Sequence, residues 1–121
     1  MAKKDLGLVA IGNALVDVLA HAGEDFVAQE AAQAGMKRGA MNLITKERAA
    51  ELYGRMEPAL EMSGGSAANS LAGFVSFGGK GAFIGKVATD QFGEVFRHDM
   101  RAQGIEFTTL PHTGALETGR S

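Results

Sequence analysis

The stretch Met62-Ser63-Gly64-Gly65-Ser66-Ala67-Ala68-Asn69-Ser70 decides the fold, because it joins a short strand to a buried helix. Residues 59–62 read as the strand, and apolar side chains at helical spacing over residues 66–77 predict the helix. The adjacent Gly64 and Gly65 permit a tight bend and a close approach of the main chain to another molecule. We therefore expect a small polyhydroxylated or phosphorylated ligand here, although Gly-Gly before a helix is also an ordinary connection.

Polar side chains accompany this bend. Ser66 and Asn69 fall at the predicted helix start, and Asp17 comes shortly after a first predicted strand at residues 6–11. Ligands of parallel sheets bind beyond the carboxyl ends of the strands, so Asp17 and Asn69 are expected at one edge. A carboxylate accepts from two hydroxyls and a carboxamide both donates and accepts, which suits a sugar ring. The alternative is that Asp17 caps a turn or pairs with a lysine, since a carboxylate among apolar residues needs a partner.

The rest of the chain alternates between strand and helix patterns. Besides the strands at residues 59–62 and 6–11, strands are expected at residues 41–44, 82–87 and 105–109. Further helices are expected at residues 26–34, between Thr45 and Pro58, and at residues 91–103. Asp25, Thr45 and Asp90 are the expected N-caps, and Gly35 is expected to close its helix. This order predicts an α/β layer with a mostly parallel sheet, whose first strand is covered on both faces.

The last helix and the end of the chain differ in their apolar content. Phe92, Phe96 and Met100 share one face of the helix at residues 91–103, whereas Asp99 falls on the solvated face. The final dozen residues bury almost nothing by pattern and carry no stop signal. We therefore expect that the chain is cut within a larger domain.

Composition excludes several classes of function. The 121 residues fit one domain, and 12 basic and 14 acidic residues are scattered along the chain, so no nucleic-acid partner is expected. Cysteine is absent and the three histidines share no ligand spacing, so no metal site is expected. The apolar segments are too short for a signal peptide or a membrane span, so we expect no membrane partner and a cytoplasmic location.

A glycine-rich phosphate loop is also excluded. Gly78-Gly79-Lys80-Gly81 lacks the hydroxyl residue that follows the lysine of such loops, and it enters a predicted strand. No helix N-terminus would therefore be available to hold a phosphate group.

Three segments together resemble a known family. They are Gly12-Asn13-Ala14-Leu15-Val16-Asp17, then Ser63-Gly64-Gly65-Ser66-Ala67-Ala68-Asn69, and then Gly85-Lys86-Val87-Ala88-Thr89-Asp90-Gln91-Phe92-Gly93. Their order and spacing are similar to the amino-terminal part of the ribokinase-like (PfkB) carbohydrate kinases, closest to the adenosine kinase-like branch. The resemblance implies a doubly wound, mostly parallel α/β fold, truncated in this chain. Residues 1–121 would form the amino-terminal part of one kinase domain, with segments of a small β-sheet lid near residues 16–22, 36–44 and 114–121.

The resemblance also implies a reaction. The family transfers the γ-phosphoryl group of ATP, with Mg²⁺, to a sugar hydroxymethyl group, and the substrate here would be adenosine or a related sugar. The substrate-binding residues that it implies are Asn13, Asp17, Gly64, Gly65, Ser66 and Asn69. The catalytic base and most ATP-binding residues are expected beyond Ser121, so this polypeptide alone is expected to be inactive. The oligomeric state stays open, although the exposed edges of lid strands favour a homodimer through the lid. A non-catalytic sugar- or nucleoside-binding or assembly module of the same fold stays open as the alternative.

Overall fold

The computed structural model describes residues 5–121, which form two compact units. The first unit contains the described residues up to Val18 and from Glu61 onward, and the second unit contains residues 19–60. The elements, in chain order, are β1 (Leu8–Ile11), β2 (Leu15–Leu19), α1 (Glu24–Ala34), α2 (Lys46–Arg55), β3 (Leu60–Gly64), α3 (Ser66–Ser76), β4 (Gly81–Ile84), α4 (Gln91–Ala102) and β5 (Gly119–Arg120). This mixture of helices with parallel strands confirms the predicted α/β class.

In the first unit, β1 and β4 pair in parallel, with Ile11 beside Ile84. Parallel strands need a long connection, and α3 lies within that connection and packs against both strands. One isolated parallel bridge extends this sheet, from Ala82 to Glu106. The prediction of a strand at residues 105–109 is therefore wrong, since only one residue of that segment pairs.

Three phenylalanine rings form the centre of the first unit. The ring centroids are 5.4 Å apart for Phe83 and Phe96, 5.4 Å for Phe96 and Phe107, and 5.9 Å for Phe83 and Phe107. α4 supplies Phe96 and Met100, which are almost fully buried. This confirms the predicted apolar face of α4, because residues three to four positions apart in a helix share one side.

β3, β2 and β5 form a second sheet, in that order. β5 runs parallel to β2, with Leu15 beside Gly119 and Val16 beside Arg120. Thr118, just before β5, is only 4% exposed. Most of the final dozen residues are exposed as predicted, with Leu110 and Leu116 at 78% and 73%, but Thr118 is buried where β5 pairs with β2.

Among residues 5–121, one face of β1 is largely uncovered. Val9 and Ile11 are 49% and 74% exposed, and Ile84 is 46% exposed. Side chains two residues apart in a strand point to the same face, and Ile84 lies beside Ile11 in the register. The prediction of a strand covered on both faces is therefore wrong within residues 5–121.

The second unit consists of α1, α2 and the loops around them. Thr45 caps α2 as predicted, since its hydroxyl accepts a hydrogen bond from the Arg48 amide at 3.2 Å. Gly35 closes α1 in the left-handed conformation, also as predicted. The predicted cap at Asp25 is wrong, because α1 already begins at Glu24 after an extended Gly23.

The strand predicted at residues 41–44 is wrong for a local reason. The Asn42 carboxamide donates to the carbonyl oxygens of Lys37 at 3.1 Å and Ala40 at 2.9 Å, and it accepts from the Lys37 amide at 3.1 Å. Asparagine side chains compete with the sheet ladder in this way, and the backbone turns instead of extending. Met41 and Leu43 are left 87% and 90% exposed.

Candidate functional site

The predicted substrate residues of the first unit come from three adjoining pieces of chain. Asn13 lies between β1 and β2, Asp17 lies on β2, and Gly64 ends β3. Gly65 follows as the residue before α3, whose first turn contains Ser66 and Asn69.

Gly64 lies directly against the Asp17 carboxylate. A Cβ atom on Gly64 would come within 2.7 Å of Asp17 Oδ1 and closer still to Oδ2. Gly64 is buried and Asp17 is half-buried. Any side chain at position 64 would therefore displace the carboxylate, so the present position of the Asp17 side chain depends on glycine at position 64.

Gly65 makes the turn that starts α3. Its φ of 92° is in a region that L residues with a side chain rarely adopt, and a Cβ atom there would lie 2.8 Å from the Asn13 carbonyl oxygen. The Gly65 carbonyl oxygen accepts the first helical hydrogen bond, from the Asn69 amide at 2.9 Å. Asn13, Ser66 and Asn69 are exposed, so their side chains are accessible to a small molecule.

Within residues 5–121, no side chain or amide donates a hydrogen bond to the Asp17 carboxylate, and no cation pairs with it. The alternatives of a turn cap and a lysine partner therefore find no support among these residues. The two oxygens of the Asp17 carboxylate therefore keep their capacity to accept hydrogen bonds from the hydroxyl groups of a ligand.

A hydrogen bond to α4 holds the strand that carries Gly64. The Asp99 carboxylate accepts from the Ser63 amide at 2.7 Å, across 36 residues of sequence. The sequence placed Asp99 on a solvated helix face, and that prediction is wrong because Asp99 is half-buried against β3. No local pattern marks such a contact.

A second hydrogen-bonded centre involves Asp90 and Thr118. Asp90 caps α4 as predicted, accepting from the Gly93 amide at 2.8 Å, but it also accepts from the Thr118 hydroxyl at 2.7 Å and the Thr118 amide at 2.9 Å. Partial burial acts to raise the pKa of Asp90, yet these hydrogen bonds outweigh it and hold that pKa below its usual value. Thr118 was missed because its partner lies 28 residues away.

The second unit contains a cavity of about 410 Å³ between α1, α2 and the loop at residues 36–42. Its walls are mostly apolar, with Phe26 and Leu52 among them, and the buried Glu30 carboxylate also lines it. Arg55 Nη1 donates to Glu30 Oε1 at 2.6 Å, and Arg48 forms a further ion pair with Glu30. The buried Glu30 carboxylate is therefore already paired within the second unit, as expected of a structural cluster.

Comparison with family models gives the family. The model described as pfkB family carbohydrate kinase matches residues 41–120, which is most of the chain. The chain belongs to this family. A comparison with curated proteins gave no significant match.

Solved structures of kinases agree with this family. A probable sugar kinase from Rhizobium etli is 44% identical with a TM-score of 0.80, and the match covers 95% of this chain and 34% of that chain. Adenosine kinase from Sinorhizobium meliloti is 50% identical with a TM-score of 0.79, and the match covers 93% and 33%. Adenosine kinase from Schistosoma mansoni, at 16% identity and a TM-score of 0.78, shows the fold alone.

These matches confirm the predicted resemblance and the α/β fold of the pfkB family. The chain spans about a third of the length of these solved kinases, which agrees with a truncated fold. No helix among residues 5–121 has the length and apolar character needed to cross a membrane.

The residues described do not fit the Mg²⁺–ATP group that the pfkB family implies. Gly78 to Gly81 leads into β4 and not into a helix, and residues 5–121 contain no group of three His, Asp or Glu side chains arranged for a metal.

Proposed function

We propose that this chain is the substrate-binding portion of an ATP-dependent carbohydrate or nucleoside kinase, one that phosphorylates a sugar hydroxymethyl group. The observation that carries the proposal is the Asp17 carboxylate, which is half-buried against Gly64 and has no partner among residues 5–121. Adenosine is the first candidate substrate, because the adenosine kinase from Sinorhizobium meliloti is 50% identical.

In this proposal Asp17 accepts hydrogen bonds from two sugar hydroxyls, and Asn69 donates to one sugar oxygen while accepting from another hydroxyl. The amides of Gly64 and Gly65 add donors that no side chain obstructs. Asn13 and Ser66 contact the opposite end of the substrate, which is the base in a nucleoside. Positioning of this kind is the main protein contribution to phosphoryl transfer besides electrostatics.

The proposal assigns the remaining roles to other residues. The catalytic base and most of the ATP site lie beyond Ser121, as the one-third coverage of related kinases supports. Residues 1–121 are the amino-terminal part of one kinase domain, with lid segments near residues 16–22, 36–44 and 114–121. A homodimer through the lid strands stays a prediction, and gel filtration that showed only monomer would remove it.

The test uses the polypeptide as expressed from its natural reading frame. The Asp17→Ala variant is expected to weaken adenosine or sugar binding about 10- to 100-fold, the factor for losing hydrogen bonds to a charged group. Asp25→Ala is the control, because Asp25 is an exposed carboxylate of α1. Calorimetry with adenosine and ribose, together with γ-phosphoryl transfer from ATP, gives the readout.

Three outcomes separate the hypotheses. Normal sugar affinity and turnover in Asp17→Ala would show that the site assignment is wrong. Binding that depends on Asp17 without phosphoryl transfer favours the non-catalytic module. Transfer that is lost with Asp17 supports the kinase.

A further inference from the structure

Thr118 and Asp90 form a connection that a helix cap alone does not need. The hydrogen bond from the Gly93 amide to Asp90 Oδ1, at 2.8 Å, is the ordinary cap of α4. Both groups of Thr118 also donate to this carboxylate, the hydroxyl to Oδ1 and the amide to Oδ2. The Thr118 hydroxyl in turn accepts from the Ala88 amide at 2.9 Å, so its hydrogen-bonding capacity is used inside the first unit.

The segment fixed by this connection leads directly to Asp17. β5 begins one residue after Thr118 and runs beside β2. Ser121 then donates its amide to the Val16 carbonyl oxygen at 2.9 Å and accepts from the Val18 amide at 2.7 Å. The backbone on both sides of Asp17 is thus held by the residues that follow Thr118.

β5 is too short to hold this place by itself. It contains two residues, and short strand pairs are marginal in water without further contacts. The Arg120 guanidinium packs over the Phe92 ring at 4.9 Å and adds a contact to α4. Asp90 and Phe92 therefore anchor β5 to α4 at two points.

We propose that the Asp90–Thr118 hydrogen bonds form a latch that positions Asp17 for sugar binding without touching the sugar. The latch fixes β5, β5 fixes the β2 backbone at Val16 and Val18, and that backbone sets the direction of the Asp17 side chain. The link from the latch to sugar affinity rests on the proposed function, whereas the link from the latch to the β2 backbone does not.

The first test measures amide hydrogen exchange in the naturally expressed polypeptide. Thr118→Val is expected to raise the exchange rate of the Val18 amide about tenfold or more, as for the loss of one buried hydrogen bond. Thr118→Ser retains the hydroxyl and is expected to stay within about twofold of wild type. Thr45→Val is the matched control, because it removes the cap hydroxyl of α2 and is expected to leave Val18 exchange unchanged.

A variant of Asp90 tests the latch in case Thr118→Val does not fold. Asp90→Ser keeps a side chain that can cap α4 but removes the second carboxylate oxygen, so α4 is expected to remain folded while Val18 exchange accelerates. Wild-type exchange at Val18 in both Thr118→Val and Asp90→Ser would overturn the proposal.

The third measurement asks whether the latch acts through Asp17. Thr118→Val is expected to weaken adenosine binding about tenfold in the wild-type background and not at all in the Asp17→Ala background. Equal weakening in both backgrounds would overturn the positioning role. If Asp17→Ala itself leaves binding unchanged, the proposed function fails, and Val18 exchange still decides whether the latch holds β2.

Discussion

The first unit is built around three packed phenylalanine rings, whereas the second unit, residues 19–60, is built around one buried carboxylate. Phe83 and Phe96 have at most 1% of their surface exposed, and the side chain of Glu30 has 5%. The carboxylate of Glu30 is held by two arginines, of which Arg55 is 35% exposed. Apolar burial is non-directional and is lost when side-chain volume is removed, whereas a buried charge depends on its ion-pairing partners, so the two units should respond to different substitutions.

The largest loss of stability is expected for Phe96→Ala in the first unit. We expect the free energy of unfolding to fall by about 3–5 kcal/mol, because the variant removes a ring from a close-packed cluster. Urea denaturation measures the change. Phe77→Ala is the control, since Phe77 is 93% exposed, and its effect is expected within about 0.5 kcal/mol. Similar losses in both variants would contradict the description of the aromatic core.

The corresponding change in the second unit is Glu30→Gln. The uncharged amide leaves Arg48 and Arg55 without this shared counter-ion, and we expect a loss of about 1.5–3 kcal/mol. Glu24→Gln is the control, because the Glu24–Arg38 pair is exposed and should be worth less than about 1 kcal/mol. Hydrogen exchange should accelerate in residues 19–60. If Glu30→Gln were neutral, ion pairing would not be what stabilises this unit.

Two glycine substitutions in the first unit are expected to have opposite effects on stability. Gly64→Ala places a methyl group against the Asp17 carboxylate, and we expect a loss of about 1–3 kcal/mol together with weaker adenosine binding. Gly73→Ala in α3 meets nothing within 4 Å in the described structure, so we expect a gain of up to about 1 kcal/mol from helix propensity. Thermal unfolding and calorimetry measure both. If Gly64→Ala did not reduce stability, position 64 would have room for a side chain, and the close contact with Asp17 would be contradicted.

The smallest expected effect is the pH dependence of Asp90. Its pKa is lower in the folded chain than its usual value, so its stabilising effect is present above the unfolded pKa and is lost as the pH falls through the folded pKa. The difference in unfolding free energy between wild type and Asp90→Asn is therefore expected to be steady between about pH 5 and 8 and to shrink below about pH 4. Urea titrations at several pH values test this. A difference that grows in acid would contradict the assignment.

Local signals predicted much of the fold. The apolar face of α4 and the caps at Thr45 and Asp90 are confirmed, because helix periodicity and capping depend on residues three or four positions apart. Those signals failed for the strand predicted at residues 41–44. There the Asn42 side chain, and not a neighbouring strand, forms hydrogen bonds with the backbone of the loop at residues 36–42. They also overestimated the pairing of residues 105–109, since pairing is decided by distant strands.

The candidate site was predictable in part. The carboxyl-end rule for parallel sheets placed Asp17 at the same edge as the start of the predicted helix, and the structure brings Asp17 into contact with Gly64, just before that helix. Their role in substrate binding stays a prediction. The hydrogen bonds of Asp99 and Thr118 could not be predicted, because their partners lie 36 and 28 residues away and no spacing in one sequence records such distances.

The exposed stripe of Val9, Ile11 and Ile84 bears on how the chain behaves at high concentration. These adjacent branched side chains on two parallel strands form an exposed apolar surface. Contact with another molecule would bury this surface and would be favourable. Salts that are excluded from protein surfaces strengthen such burial. Ammonium sulfate should therefore precipitate this chain while it is still folded. The molecules should associate through this surface at salt concentrations that leave the aromatic core packed.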